Sequence, residues 1–256
     1  MKKINNSESA NLLKDVIDKN KRPRAGCKDV WNAFMVREAT FIHPSDMPLC
    51  PNTAKEIPTA LIGYDEAKTI YNKEIKAGHR NFHINAFIHF YIDDAKFDGT
   101  ESSVWLFPKK AFSIIKHFEG IITPDFSINV DFPDPIKRNN TYRMRAFGYW
   151  IGTNGKKVFN NVRWGTAETY SYCFDGIPVG ETVCIGAVAS EIRKLKNRLL
   201  FEDGLKKMVK VLKPHIIIVY GSTRYKFFNE LKEQGIRIIS FKSKTELAYE
   251  RRKNHE

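Results

Sequence analysis

The chain has 256 residues, of which 42% are hydrophobic and 12% aromatic, a size and composition that suit one large globular domain. No apolar run reaches the roughly 20 residues that a membrane-spanning helix needs. The N-terminal residues also lack the apolar core of a signal peptide, so we expect a cytoplasmic protein without a membrane partner. The 42 Lys and Arg exceed the 29 Asp and Glu, and the formal net charge of +13 favours polyanionic or phosphate-bearing partners.

The cysteines and the common catalytic motifs identify no reaction. Cys27, Cys50, Cys173 and Cys184 form neither a CxxC pair nor a Cys/His group with zinc spacing, which indicates reduced thiols. The chain also lacks a Walker phosphate loop, a GxGxxG fingerprint after a first strand, and the HExxH and GxSxG motifs. Function therefore has to be inferred from the placement of single polar residues.

The N-terminal part of the chain is polar and then rich in proline. Residues 1–24 end in the basic run KNKRPR, which predicts a flexible arm that either contacts nucleic acid or is a solvated terminus. Prolines at positions 44, 48, 51 and 58 exclude long regular elements from the next stretch, where we expect one or two irregular strands. We predict a single α/β domain over residues 25–248 and a charged tail over residues 249–256.

Helical and apolar segments alternate through the rest of the chain. Helical periodicity predicts helices over residues 64–77, 108–117, 140–150, 201–212 and 225–234. Apolar runs predict strands over residues 84–94, 120–127, 157–164, 182–190, 214–222 and 236–241. These strands end roughly 20–35 residues apart, the spacing of a βα unit, so we expect parallel strands with right-handed crossovers. The repeat predicts a TIM-barrel-like (β/α) fold, and an open doubly wound sheet is the alternative.

Polar side chains follow the predicted strands at the point where each strand ends. Carboxyl ends of parallel strands meet at one face, where ligands bind. We predict Asp94, Asp125 and Arg163 as catalytic residues, because a carboxyl group can transfer a proton and a guanidinium can hold phosphate. The ligand-binding residues predicted at the same face are Ser127, Asn160, Asn161, Trp164, Ser190, Tyr220 and Ser222.

Alternative interpretations accompany this polar face. Asp93, Asp94 and Asp125 either hold a divalent cation, which prefers carboxylate oxygens, or Asp93 and Asp94 cap a turn. No other cofactor is indicated. Trp164 either stacks on a base or packs in the core. The polar face as a whole is either catalytic or a hydrogen-bond network that closes the barrel.

A basic segment follows the predicted strand at residues 182–190. Its cations predict a nucleic-acid surface, because Lys and Arg neutralise backbone phosphates. The residues of this predicted surface are Arg193, Lys194, Lys196 and Arg198.

The chain resembles a domain-of-unknown-function family that is common in phages, prophages and mobile elements. The resemblance covers residues 26–248. It is carried by CPNTAKEIP at residues 50–58, FYIDDAKFDG at 90–99, GIITPDFS at 120–127, NTYRMRAFGYW at 140–150, NNVRWG at 160–165, YCFDGIP at 172–178, IGAVAS at 185–190 and VYGS at 219–222. This resemblance implies a phage or mobile-element context and no particular chemistry.

At the level of fold, the chain also resembles the tRNA-guanine transglycosylase barrels and their DNA-modifying relatives. Those proteins place a Pro-Asp pair after one strand, as in Pro124-Asp125, and a Gly-rich strand, as at residues 185–187. The last predicted strand here runs into SFKS at residues 240–243, without the nucleophilic Asp of that family, and the zinc-binding cysteines are absent. The resemblance therefore implies a fold and leaves that chemistry in doubt.

Two functions are consistent with these features. The first is an enzyme that acts on nucleic acid or a nucleotide at the polar strand ends. The second is a non-catalytic DNA-binding or host-interaction (anti-defence) protein that uses the basic surface. The expected partners are thus nucleic acid, a nucleotide or a host protein.

Overall fold

The computed structural model describes Asp29, residues 31–188 and residues 190–253. The predicted basic arm at residues 1–24 lies outside the described residues, as does the end of the predicted charged tail. The described part of the chain forms a parallel seven-stranded sheet, flanking helices and a separate two-stranded antiparallel sheet.

The strands of the large sheet lie side by side in chain order. The antiparallel pair consists of β1 (Phe41–Ile42) and β2 (Met47–Pro48). The large sheet consists of β3 (Leu61–Gly63), β4 (Ile84–His89), β5 (Phe118–Ile122), β6 (Lys157–Asn161), β7 (Val183–Gly186), β8 (Ile216–Tyr220) and β9 (Arg237–Phe241). Each strand pairs in parallel with the next. Successive neighbours are joined by crossover connections, for which a right-handed path is the rule, and the sheet curls into a half-barrel.

Six α-helices are described, and their ends follow the sequence. They are α1 (Tyr64–Lys76), α2 (Pro108–Ile115), α3 (Asp134–Thr153), α4 (Leu195–Leu212), α5 (Lys226–Glu233) and α6 (Lys244–Lys253). Helix α1 has acidic residues in its first turn and Lys in its last, which complements the helix dipole. Pro108 lies in the first turn of α2, where its missing N–H costs nothing. No helix in the described ranges combines the length and the apolar character needed to cross a membrane.

Alternate residues of the strands pack on opposite faces of the sheet, as strand geometry requires. On the outer face, Ile121 packs in one cluster with Phe147 of α3, and Ile217 packs in another with Phe201 of α4. On the inner face, the side chains of successive strands fill the half-barrel themselves. This inner cluster contains Phe87, Ile122, Phe159, Cys184 and Ile218.

The predicted α/β fold with parallel strands in a barrel-like repeat is confirmed, with one correction. The sheet does not close, because β3 and β9 are its two edges. The irregular stretch before residue 62 supplies β3 to the sheet, whereas β1 and β2 pair only with each other. Strand order in the doubly wound alternative reverses direction, and here it does not.

Several element boundaries differ from the predicted ones. Helix α3 begins at Asp134, six residues before the predicted start, because Pro135 lies in its first turn, where a proline is tolerated. Helix α4 begins at Leu195, so the predicted basic loop is partly helical. Residues 244–253, which include part of the predicted charged tail, form α6.

Candidate functional site

Five polar residues lie near one another at the carboxyl edge of the sheet, and we call them the strand-end cluster: Tyr91, Asp94, Asp125, Asn161 and Arg163. The Tyr91 hydroxyl donates to Oδ1 of Asn161 at 3.0 Å, and Nδ2 of Asn161 donates to Oδ1 of Asp125 at 2.8 Å. Nη1 of Arg163 donates to Oδ2 of Asp125 at 2.5 Å. Three predicted residues, Asp125, Asn161 and Arg163, are therefore in direct contact.

The Asp94 carboxyl group completes the strand-end cluster from the loop that follows β4. Burial raises the pKa of Asp94 above its ordinary value, and the Asp125 carboxylate raises it further. Ser127, by hydrogen bonding, and Arg163, by its charge, act in the opposite direction. The predicted catalytic residues thus lie within electrostatic reach of one another, with Ser127 beside Asp94.

A second layer of charges lies behind the strand-end cluster. Arg143 of α3 binds Asp98 through two hydrogen bonds of 2.8 Å, and its guanidinium lies 4.0 Å from the ring centre of Phe126. Arg143 thus connects the loop that carries Asp94 to the segment that carries Asp125. Arg143 reaches Asp98 from the middle of α3, which begins at Asp134.

The smaller of two depressions at this edge of the sheet has a volume of about 280 Å³ and is called the smaller pocket. Arg163, Trp164 and Ser190, all predicted site residues, line it together with Asn197. Trp164 packs on the rings of Phe174 and Phe201, with centroids 6.3 and 5.2 Å away, and remains half-buried. Both interpretations of Trp164 are thus compatible with its position.

The second depression, called the larger groove, has a volume of about 790 Å³. It lies between the loops that follow β7 and β8 and the helix α6 that follows β9. Ser222, Arg193 and Lys194 line it, so the predicted serine at the end of β8 lies apart from the strand-end cluster. Glu191 lines both the smaller pocket and the larger groove, so the two depressions adjoin there.

Two other predicted ligand-binding residues have partners within the protein. Asn160 is fully buried, and its Nδ2 donates to the Cys50 carbonyl at 2.7 Å and to Oδ1 of Asn52 at 3.1 Å. It faces away from the strand-end cluster because neighbouring strand residues alternate. Tyr220 lies on the inner face, stacked on Tyr91 at 5.4 Å, and its hydroxyl accepts the backbone N–H of Lys244 at 3.3 Å.

The structure does not bring Asp93, Asp94 and Asp125 together in the way the predicted divalent-cation site requires. Asp93 is exposed and accepts the backbone N–H of Ala95 at 2.9 Å, as in the alternative interpretation of a cap. Both Asp125 oxygens are bound by Asn161 and Arg163. Across residues 29, 31–188 and 190–253, no group of three His, Cys, Asp or Glu side chains is placed to hold a metal ion.

The predicted basic surface is divided between a loop and a helix. Arg193 and Lys194 are exposed in the loop before α4, and Lys196 is exposed on its first turn. The Arg198 guanidinium lies 5.6 Å from the ring centre of Tyr225. Arg198 is therefore partly engaged by the protein itself.

Sequence reasoning missed the aromatic part of the site. His89 and Tyr91 lie on the inner face next to Tyr220, and the His89 and Tyr220 ring centres are 4.1 Å apart. The period of two along β4, counted from Phe87, places both side chains on the inner face. That signal was available in the sequence.

Comparisons with known proteins identify the family. A family model described as a domain of unknown function, DUF4417, matches residues 44–242. The chain is 31% identical over 138 residues to the Gene 1 protein of Mycobacterium phage L5, a match covering 54% of this chain and 58% of that protein. It is 33% identical over 138 residues to the Gene 1 protein of Mycobacterium phage D29, covering 54% of this chain and 49% of that protein.

The chain thus spans about half the length of the curated relatives that it matches. No solved structure matches it. The predicted resemblance to a phage-associated family is confirmed, and since the family model covers most of the described residues, the chain belongs to the DUF4417 family.

Proposed function

We propose that the chain is an enzyme that acts on a nucleic acid or a nucleotide at the strand-end cluster, with Asp94 transferring a proton and Arg163 holding a phosphate. The observation that carries the proposal is the unequal environment of two carboxyl groups near one guanidinium. Asp125 is bound by Arg163 and Asn161, whereas burial raises the pKa of Asp94. Carboxyl groups in unequal environments can divide the roles of proton donor and fixed charge.

The neighbourhood of Arg163 supports a phosphate-bearing ligand. Among the described residues, Arg163 donates only through Nη1, to Asp125, and its side chain lines the smaller pocket. Its Nε and Nη2 groups are left to bind a phosphate oxygen. The half-buried indole of Trp164 in the same wall offers a surface on which a base can stack. The formal net charge of +13 attracts such ligands from a distance.

A non-catalytic DNA-binding or host-interaction protein is the second candidate. It is favoured by the exposure of Arg193, Lys194 and Lys196, which leaves these charges accessible to a macromolecule. In that case Asp94 and Asp125 stabilise the fold and take no part in chemistry. The two candidates therefore differ in which residues the function requires.

The test combines a substrate screen with matched variants. The purified protein is incubated with nucleoside mono-, di- and triphosphates and with single- and double-stranded DNA and RNA, and products are detected by mass spectrometry. Asp94→Asn is expected to lower turnover by about 100- to 10,000-fold, the usual contribution of a general acid or base, while ligand binding persists. Arg163→Gln is expected to weaken binding of the same ligand by about 10-fold or more, because a charge-assisted hydrogen bond is lost.

Asp131→Asn is the matched control, since Asp131 is an exposed aspartate in the loop before α3. This variant should turn over substrate like the wild type. Full activity in both Asp94→Asn and Asp125→Asn would contradict the proposal. If function is then abolished by reversing the charges of Arg193, Lys194, Lys196 and Arg198, the second candidate is correct.

A further inference from the structure

The larger groove is more spacious than the smaller pocket at the same carboxyl edge of the sheet. Its volume of about 790 Å³ lies within the range of about 300–1,000 Å³ found for ligand-binding clefts. The loops after β7 and β8 and the helix α6 form its walls, so three consecutive elements of the sheet contribute to it. The strand-end cluster, by contrast, follows β4, β5 and β6.

The carboxylates of the larger groove are already engaged. Glu191 accepts from Lys194 at 2.8 Å, and Glu250 forms an ion pair of 2.8 Å with Lys242. Glu246 accepts both the backbone N–H and the hydroxyl of Ser243, at 2.9 and 2.7 Å. Lysines therefore compensate the charges of Glu191 and Glu250, whereas Glu246 is held by neutral donors and keeps its negative charge.

Two arginines of the larger groove remain without a carboxylate partner among the described residues: Arg193 and Arg224. Both side chains are exposed. The Arg224 guanidinium lies 5.5 Å from the ring centre of Tyr225, a contact that leaves its donors unused. Unpaired guanidinium groups in a lined groove are suited to bind phosphate oxygens.

Aromatic side chains accompany these arginines. Tyr225 is stacked on Phe227, with ring planes 4° apart, and it lines the groove. Tyr249 of α6 is 71% exposed and lines the opposite wall. Cations beside aromatic surfaces recur where proteins bind single-stranded nucleic acid, because unpaired bases stack on the rings while phosphates contact the cations. In a duplex the bases are stacked on each other and cannot reach such rings.

We infer that the larger groove binds a single strand of nucleic acid, with phosphates at Arg193 and Arg224 and bases against Tyr225 and Tyr249, and leads it to the smaller pocket. The two depressions share Glu191, so a strand that occupies the larger groove continues towards Trp164 and Arg163. This inference rests on the proposed function and deepens it, since it names a polynucleotide rather than a free nucleotide as the substrate.

Fluorescence anisotropy of labelled oligonucleotides tests the inference. The probes are oligothymidylate and oligouridylate of about 12 nucleotides, which distinguish DNA from RNA, and a duplex of the same length. We expect the wild type to bind at least one single strand more tightly than the duplex. The double variant Arg193→Gln/Arg224→Gln should weaken the slope of log affinity against log salt by about 0.7 for each lost phosphate contact, measured between about 50 and 200 mM NaCl. Tyr249→Ala should weaken binding by about fivefold or more.

The double variant Lys73→Gln/Lys76→Gln is the matched control. It removes the same charge from exposed residues in the last turn of α1, at the amino-terminal side of the sheet. It should retain the wild-type slope. Equal losses in both double variants, equal affinity for duplex and single strand, or no binding by the wild type would each overturn the inference.

Asp94→Asn separates this inference from the proposed function. A variant that binds the strand normally but forms no product supports both. If the arginine variant binds the strand like the wild type while Asp94→Asn abolishes turnover, the strand path is wrong and the proposed function stands. If Asp94→Asn and Asp125→Asn leave turnover intact while the arginine variant loses the strand, the proposed function fails and the groove is the binding site of a protein whose chemistry lies elsewhere.

Discussion

His89 shows how one buried side chain couples the inner face of the sheet to pH. It is 1% exposed, and its Nδ1 accepts the backbone N–H of Tyr91 at 3.2 Å, which requires an unprotonated nitrogen. Burial, with a smaller contribution from the charge of Lys244, lowers the pKa of His89 from its ordinary value of 6.5 to about 3, against an opposing effect of Asp65. The folded protein therefore excludes a proton that the unfolded chain binds.

The free energy of unfolding should consequently fall as the pH is lowered below 6.5. Between the two pKa values the unfolded state binds more protons, so stability decreases by up to about 1.4 kcal/mol for each pH unit. His89→Gln removes this dependence and should give a shallower profile than the wild type between pH 6.5 and about 5, above the ordinary range of carboxylates. Urea unfolding at a series of pH values measures both profiles. Parallel profiles would show that His89 does not contribute.

Single residues also mark the limit of what the sequence predicts about the site. Asp94, Asp125 and Arg163 were predicted together because each follows an apolar run, and strand ends meet in parallel sheets. The presence of Gly204 could not be explained in this way, since nothing in the neighbouring sequence requires a glycine inside this helix. A Cβ at Gly204 would lie 2.0 Å from Nε1 of Trp164, so the helix lacks a side chain there because the indole occupies the space.

Among the elements, β6 has a neighbour that no periodicity predicts. Its first half pairs with β5 and its last two residues pair with β7. On the side of β6 that faces β7, the segment at residues 52–54 lies beside the first half of the strand, where β7 does not reach. The backbone N–H groups of Thr53 and Ala54 donate to the Val158 carbonyl at 3.2 Å, and Oδ1 of Asn52 accepts the N–H of Asn160 at 3.0 Å. The proline-rich stretch thus hydrogen-bonds to the sheet beside β6, a contact that we call the sheet seam.

Asn52→Ala should destabilise the protein by about 2–4 kcal/mol. The substitution leaves two buried groups without partners: the Thr182 carbonyl, which accepts from Nδ2 of Asn52 at 2.7 Å, and the backbone N–H of Asn160. Each unsatisfied group costs about 1–3 kcal/mol. Asn85→Ala is the control, because Asn85 is an exposed asparagine in β4, and its effect should stay within about 0.5 kcal/mol. Equal denaturation midpoints for the two variants would show that the seam does not depend on Asn52.

The sequence predicts elements well where a local cause exists and less well where the cause is distant. The six predicted strands are all present, because apolar residues recur through each of them. Strand β3 has three residues and was expected only as one of the irregular strands of the proline-rich stretch, since its place is set by pairing with β4. Helix α6 was not identified because its sequence is mostly polar and has no clear apolar face. In the structure its start is stabilised by a reciprocal cap between Ser243 and Glu246.

For the whole molecule, an ionic contact joins the elements that follow the two edge strands of the half-barrel, β3 and β9. Strand β3 runs directly into α1, and β9 runs into α6. Nζ of Lys244, the first residue of α6, lies 3.4 Å from Oδ1 of Asp65 and 3.1 Å from Oε2 of Glu66, both in the first turn of α1. This ionic contact joins the two edges at the end of the sheet that carries the site, and α6 also forms a wall of the larger groove.

Lys244→Gln should therefore loosen the edges without unfolding the protein. The side chains of Lys244 and Glu66 are about half exposed, and such pairs contribute about 0–1 kcal/mol, so global stability should change by no more than that. Local opening should increase, and hydrogen exchange of the amides of β3 and β9 should accelerate by up to about fivefold. Lys206→Gln is the control, because it breaks an exposed pair of 2.6 Å with Glu202 inside α4 and should leave both edges unchanged. If exchange in β3 and β9 does not respond to Lys244→Gln, the curvature of the sheet is fixed by its packed inner face alone, and the edges need no ionic contact to keep their separation.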